Sequence, residues 1–151
     1  MDSLKERLRN DLTTSMRARD ELRLSTLRMV LTAVTTSEVA GATARELSDS
    51  EVLVVLTKEA KKRHEAADAF REAGRTDRAE REEAEAGVIA EYLPAPLSDD
   101  ELAAMVDAAV VETGASSPRD MGAVMKALQP RTTGRADGAR VAAVVRARLN
   151  S

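Results

Sequence analysis

The segment YLPAPLSDDE, from Tyr92 to Glu101, limits the fold of this chain more than any other stretch. Its two prolines, at positions 94 and 96, have no amide proton and resist helix, so the segment is expected to be extended. Ser98 and Glu101 have the spacing of a capping box, which predicts that a helix begins there. We therefore predict three parts: an amino-terminal domain over residues 1–92, a proline-containing linker over residues 93–97 and a carboxy-terminal domain over residues 98–151.

The amino-terminal part has the apolar periodicity of helices throughout. Ser3 with Glu6 and Ser48 with Glu51 also have capping-box spacing, and each pair precedes apolar residues at helical intervals. The apolar pattern is interrupted near Arg19–Asp20, at Gly41 and at Gly74. These interruptions predict a bundle of about four helices, the last of which ends near Tyr92.

The carboxy-terminal part is predicted to contain three helices. An apolar face over 102–110 gives the first of them. Two further apolar repeats, Met121–Leu128 and Val141–Leu149, should pack as a hairpin. Pro130 is expected to stop the first helix of this hairpin, and Asp137 is a plausible N-cap for the second. The predicted fold class is all-α, with an amino-terminal helical bundle of about four helices and a smaller three-helix carboxy-terminal domain.

Composition excludes several classes of protein. The 151 residues include no cysteine, so a disulfide framework and a thiolate metal site are both excluded. With 32% charged residues and only Phe70 and Tyr92 as aromatics, helices are favoured over strands. The charged opening MDSLKERLRND is unlike a signal peptide, and no run approaches the roughly 20 apolar residues that span a bilayer. We expect a cytoplasmic, soluble protein without a membrane partner.

Basic residues are concentrated near the carboxy terminus. Residues 1–96 hold 16 Lys and Arg against 19 Asp and Glu, while residues 117–151 hold 7 against 2, a balance of +5. Such a cluster can bind a phosphate backbone, with counterion release supplying affinity that does not depend on sequence. The alternative is that these side chains only solvate a helical surface. The candidate RNA-contacting cations are Lys126, Arg131, Arg135 and Arg140.

Three glycines accompany these cations: Gly122, Gly134 and Gly138. Gly122 has no side chain, so a backbone or a ribose could approach the helix closely there. Gly134 and Gly138 would let backbone amides near the start of the last helix face outward, where they could meet an anion. In the alternative interpretation, Gly122 permits close packing against a neighbouring helix and the other two are turn residues.

No catalytic or metal-binding constellation is recognised. His64 is the only histidine and has no Ser or Cys nucleophile at a recognisable spacing. The basic run Lys61–Arg63 is surrounded by acidic residues, and Glu59 and Arg63 have the spacing of a helix-surface ion pair, which favours a solvated face. The loop GRADG lacks the Gly-Lys-Ser/Thr ending of a nucleotide-binding loop. We expect no metal and no cofactor.

Three stretches of the sequence resemble one known family. The helix MGAVMKAL followed by GRADGARV is similar to the tail of GatB/YqeY-family proteins. The block from Glu59 to Glu101, with its Lys-Lys-Arg helix, Gly-Arg turn and Tyr-Leu-Pro linker, resembles the same family, and MRARDELRLSTLRMVLTAV fits its amino-terminal helices. On this resemblance, which covers nearly the whole chain, the protein is identified as a stand-alone YqeY-like protein.

The resemblance implies a relation to the carboxy-terminal part of the B subunit of the glutamine-dependent aminoacyl-tRNA amidotransferase. That enzyme is a carbon–nitrogen ligase with glutamine as amido donor; its kinase and transamidation sites lie in other domains, and its helical tail contacts tRNA. We therefore expect a non-catalytic tRNA-binding or accessory module. The alternative is a protein-interaction module that docks an amidotransferase or synthetase protein through the helices of residues 48–92. An enzyme in its own right would need a nucleophile that the sequence does not show.

Overall fold

The computed structural model describes residues 2–151, and the regular structure within them is helical, without a β-strand. The helices are α1 (Leu4–Ala18), α2 (Glu21–Glu38), α3 (Asp49–Glu72), α4 (Thr76–Ala90), α5 (Asp99–Thr113), a short 3-10 helix (Pro118–Asp120), α6 (Met121–Thr132) and α7 (Gly138–Leu149). The all-α prediction is therefore confirmed.

The chain divides into two compact units, one up to Leu93 and one from Pro94 onward. Helices α1 to α4 belong to the first unit and α5 to α7 to the second. Each unit has its own cluster of buried apolar side chains. The domain assignment made from the sequence, with its linker over residues 93–97, stays a prediction.

Serine side chains begin three of the helices as the sequence predicts. In each case the serine hydroxyl accepts a hydrogen bond from a glutamate amide three residues later, and the glutamate side chain bonds back to the serine amide. The three pairs are Ser3 with Glu6, Ser48 with Glu51 and Ser98 with Glu101. Asp137 caps α7 by accepting a bond of 3.0 Å from the amide of Ala139. Each cap stabilises its helix by about 1 kcal/mol.

One helix ends earlier than the glycine that the sequence suggests, and its last residue forms a buried ion pair. Helix α2 ends at Glu38 rather than continuing to Gly41. The Glu38 carboxylate lies 2.8 Å from Nζ of Lys5 and accepts a bond of 3.0 Å from the amide of Leu47. The chain therefore leaves the helix after Glu38 and returns to place Leu47 against the core.

Pro130 does not stop α6, which continues to Thr132. A proline in the last turn removes only one helix hydrogen bond, the one from its own position to the carbonyl of Lys126. The hydroxyl of Thr132 donates to the Leu128 carbonyl at 3.1 Å, and that of Thr133 donates to the Gln129 carbonyl at 2.6 Å. Because only that one bond is lost, the helix runs two residues past the position where the sequence predicts its end.

Tyr92 is buried in the core of the first unit. Its hydroxyl donates a hydrogen bond of 2.5 Å to Asp11 on α1, and the Arg7 guanidinium lies 4.6 Å from its ring centre. Burial, followed by the bond to Asp11, raises the pKa of Tyr92. The buried apolar residues of this unit are Leu8, Leu27, Val30, Val34, Leu47, Val52, Leu56, Ile89 and Tyr92.

The core of the second unit confirms that α6 and α7 pack together, and both also contact α5. Leu97, which the sequence analysis places in the linker, is buried in this core with 3% of its surface exposed. The buried apolar residues are Leu97, Leu102, Val106, Ala109, Val110, Val124, Leu128, Val141, Val145 and Leu149.

Across residues 2–151, no helix combines the length and the apolar character that crossing a bilayer requires.

Candidate RNA-contacting surface

The seven candidate residues lie on three consecutive pieces of the second unit. Gly122 and Lys126 are exposed on α6, one helical turn apart, and Arg131 lies in the last turn of the same helix. Gly134 and Arg135 lie in the connecting loop, and Gly138 and Arg140 begin α7. The structure thus brings the candidates onto one helical hairpin, but it gives them different partners.

Arg135 and Arg140 hold the segment of residues 94–97, which we name the strap. The amide of Leu97 donates to the Arg135 carbonyl at 2.9 Å. In return Nε of Arg135 donates to the Ala95 carbonyl at 2.9 Å, and Nη1 of Arg140 donates to the Leu97 carbonyl at 2.9 Å. Two of the predicted RNA-contacting arginines therefore fasten an extended segment across the α6–α7 connection.

The same hairpin is paired electrostatically with α5. Four of its arginines form ion pairs with carboxylates of that helix, and the pairs differ in length. They are Arg131–Glu112 at 3.0 Å, Arg135–Glu101 at 3.6 Å, Arg140–Asp99 at 2.7 Å and Arg148–Asp107 at 2.9 Å. The Glu101 carboxylate also accepts a hydrogen bond from the amide of Ser98. This bond is the main reason that the pKa of Glu101 is lowered.

These pairs change the interpretation of the basic tail. The count of +5 for residues 117–151 is correct, but the compact unit begins at Pro94 and includes the acidic residues of α5. From 94 to 151 the chain has seven Lys and Arg and seven Asp and Glu, so the unit has no net charge. A charge count along the sequence does not reveal this neutralisation, because it comes from the packing of α5 against the basic hairpin.

Three cations of the second unit have no ion-pair partner among residues 2–151: Arg119, Lys126 and Arg146. All three are exposed. Arg119 lies in the short 3-10 helix before α6, Lys126 in the middle of α6 and Arg146 near the end of α7. Of the four predicted cations, only Lys126 is therefore free to bind an anion without breaking an existing contact.

The three glycines have different local roles. Gly134 has a φ of +78°, so it occupies the left-handed region that a turn requires and that other residues rarely adopt. Gly138 does not have a positive φ and is the first residue of α7. At Gly122 an added Cβ would meet no described heavy atom within 4 Å, so close helix packing does not explain it.

Basic and acidic side chains also pair between α3 and α4 in the first unit. Arg63 lies between Glu82 at 3.2 Å and Glu85 at 3.8 Å, instead of pairing with Glu59 along its own helix. Glu59 instead contacts Lys62, at 3.3 Å. The sequence prediction of a solvated face is thus wrong for Arg63, whose side chain is only 22% exposed. Spacing within one helix could not predict its partners, because Glu82 and Glu85 lie on α4.

His64 also contacts α4, with Nδ1 3.0 Å from a carboxylate oxygen of Glu83. Arg71 contacts the other oxygen of Glu83, at 3.2 Å. Within the described part of the chain, no group of three or more His, Asp or Glu side chains is close enough together to hold a metal ion.

The fold and the candidate surface define an all-α protein of two compact units, in which one helical hairpin carries exposed cations beside a strap. Comparison with known proteins gives the family: residues 5–149 match the Yqey-like protein family, and the chain belongs to it. This confirms the resemblance drawn from the sequence. An uncharacterized protein of Schizosaccharomyces pombe is 36% identical over 88 residues, which are 58% of this chain and 69% of that protein.

Proposed function

We propose that this protein is a non-catalytic tRNA-binding or accessory module related to the glutamine-dependent aminoacyl-tRNA amidotransferase. Two findings support the proposal: membership of the Yqey-like family, and the exposed cations of the second unit. The relation to the amidotransferase rests on the family resemblance alone. A cytoplasmic location is part of this proposal, and cell fractionation tests it.

The observation that carries the proposal is the set of unpaired cations Arg119, Lys126 and Arg146. The second unit has enough acidic residues to neutralise all of its basic ones, yet these three remain exposed and without an ion pair among residues 2–151. A phosphate backbone would supply the missing counter-charge and release bound salt ions. Gly122 lies one turn before Lys126 and leaves the helix backbone open to a sugar or phosphate.

The mode of recognition follows from the residues that this surface lacks. Readers of single-stranded RNA stack bases on aromatic side chains. Both aromatic residues of the chain, Phe70 and Tyr92, lie in the first unit. The second unit should therefore contact RNA through its backbone and shape.

Titration of the protein with bulk tRNA tests the proposal. We expect saturable binding in fluorescence anisotropy that weakens as salt is raised, with tRNA preferred over a duplex RNA of similar length. Each phosphate contact contributes about 0.9 to the logarithmic salt slope on duplex DNA, which sets the scale for tRNA. Absence of binding at low salt would remove tRNA binding from the proposal.

Substitution of the free cations locates the contact. Changing Arg119, Lys126 and Arg146 together to Gln should reduce the salt slope by up to about 2–3, because three phosphate contacts are lost. The control is Lys58→Gln with Arg75→Gln and Arg78→Gln, which removes the same charge from exposed sites in α3, at the N-cap of α4 and in α4. An equal loss of affinity in both triple variants would show only a dependence on net charge. Arg135 and Arg140 are unsuitable for this test because they hold the strap.

The second candidate function is docking of a basic partner protein through residues 48–92. Its support is an acid surplus: these residues hold twelve Asp and Glu against eight Lys and Arg. Glu65, Glu72 and Glu80 are exposed and have no ion-pair partner among residues 2–151. Changing these three to Gln should abolish capture of an amidotransferase or synthetase protein after nuclease treatment, while leaving tRNA binding intact.

A further inference from the structure

We propose that the strap is an autoinhibitory contact: residues 94–97 and an RNA phosphate backbone compete for Arg135 and Arg140. This inference rests on the proposed tRNA binding and adds a regulatory step to it. In the free protein the two arginines hold the strap against the α6–α7 connection through hydrogen bonds. In the complex they bind phosphate, and the strap is released.

The present partners of the two arginines can be replaced by a phosphate. Nε of Arg135 and Nη1 of Arg140 each donate to a neutral main-chain carbonyl, of Ala95 and of Leu97. A guanidinium bonds a phosphate more strongly than a carbonyl, because two charged groups with matching geometry meet. Both side chains are about one-third exposed, so a phosphate can reach them.

The carboxylates facing these arginines are also replaceable. Asp99 lies 2.7 Å from Nη2 of Arg140, but its side chain is 97% exposed. Glu101 lies 3.6 Å from Arg135, beyond hydrogen-bond distance, and its side chain is about half exposed. Exposed pairs of this kind are weak and are screened by salt.

The strap has few other attachments. Pro94 and Pro96 have no amide proton, so only Ala95 and Leu97 can donate from the backbone. The amide of Leu97 bonds the Arg135 carbonyl, and the side chain of Leu97 is buried in the core. The strap is therefore held by one buried side chain, one backbone bond and the two arginines. Loss of the arginines removes two of its three hydrogen bonds to the hairpin.

Hydrogen exchange of the unaltered protein tests the competition. We expect the Leu97 amide to exchange about tenfold faster when the protein is saturated with bulk tRNA. The amide of Leu102, which bonds the Ser98 carbonyl at 2.9 Å in the first turn of α5, serves as the internal reference and should not change. Saturable binding with unchanged or slower exchange at Leu97 would overturn the inference and leave the proposed function standing. Absence of tRNA binding would overturn both.

A pair of matched variants gives a second readout. Asp99→Asn removes the charged partner of Arg140 and should strengthen tRNA binding about twofold to fivefold. Asp100→Asn makes the same change of charge at the next residue, which is exposed and contacts no arginine among residues 2–151, so it should have a smaller effect. Equal effects of the two substitutions would show a general charge effect and contradict the competition.

Discussion

Oppositely charged side chains pair between helices in both units, but at different depths. In the first unit Arg63 lies between α3 and α4, and its partners Glu82 and Glu85 are 17% and 15% exposed. In the second unit the pairs Arg140–Asp99 and Arg148–Asp107 lie at the surface. The Arg63 pairs are therefore largely removed from water, whereas the two pairs of the second unit are in contact with it.

Depth determines whether such a pair can be exchanged for another. Removing one partner of a buried pair leaves a charge that the protein cannot solvate, so the pair has to persist for the fold to persist. An exposed pair loses little when it opens, because water solvates both groups. The first unit should thus depend on the Arg63 pairs for stability, while the exposed pairs of the second unit are available to a competing anion.

The largest effect is expected from Arg63→Ala in the first unit. Glu82 and Glu85, both largely buried, would lose the cation that lies between them. We expect a loss of about 2–3 kcal/mol in the free energy of unfolding, less than for a fully buried pair. Tyr92, the only tyrosine, lies in this unit, so its fluorescence in a urea titration reports the loss.

Arg71→Ala is the matched control on the same helix. Arg71 contacts Asp68 at 2.9 Å and Glu83 at 3.2 Å, but its side chain is half exposed. Its removal should cost only about 0.5 kcal/mol. If both substitutions destabilise the first unit equally, burial does not distinguish the two pairs.

A smaller loss of stability in the first unit is expected when the pH is lowered. A hydrogen bond from Arg45 and, with a smaller effect, one from the Ser48 amide lower the pKa of Glu51 from 4.5 to about 2. The bond from Lys5, followed by that from the Leu47 amide, lowers the pKa of Glu38. Because folding favours the ionised carboxylates, their contribution to stability is present above pH 4.5 and is lost as the pH falls toward about 2.

Urea titrations at a series of pH values measure this loss. The urea midpoint of the unaltered protein should fall as the pH is lowered through this range, and Glu51→Gln should make the dependence shallower because one of the linked protons is removed. Glu65→Gln is the control, since Glu65 is exposed and pairs with no cation among residues 2–151. The linkage to Glu51 is wrong if the two variants follow the same pH curve.

Much of the fold was predictable because its signals are local. Each of the capping boxes that begin at Ser3, Ser48 and Ser98 joins residues three positions apart, so spacing alone reveals it. The end of α2 was not predictable, because Glu38 meets a lysine 33 positions earlier in the chain. Pro130 misled the prediction because it lies in the last turn of α6, where a proline removes only one helix hydrogen bond.

The position of the candidate surface was predictable from the sequence, but the ion pairs that its arginines form were not. The resemblance and the charge count both pointed to the α6–α7 hairpin. Its arginines, however, meet carboxylates of α5 that are distant in sequence: Arg140 and Asp99 are 41 residues apart, as are Arg148 and Asp107. A count of charges along the chain cannot show such neutralisation, because it depends on how helices pack. For the same reason Arg119 and Arg146 did not stand out from the other arginines.

The smallest effect is expected from Arg148→Gln in the second unit. The pair with Asp107 is 2.9 Å long, but both side chains are about half exposed, so water can replace each partner. We expect a loss of no more than about 0.5 kcal/mol, measured by circular dichroism because this unit has no aromatic residue. Raising the salt concentration should reduce this difference further, since exposed charges are screened. A loss as large as that from Arg63→Ala would mean that depth does not separate the pairs of the two units, and the argument that phosphate can replace the carboxylates of α5 would fail with it.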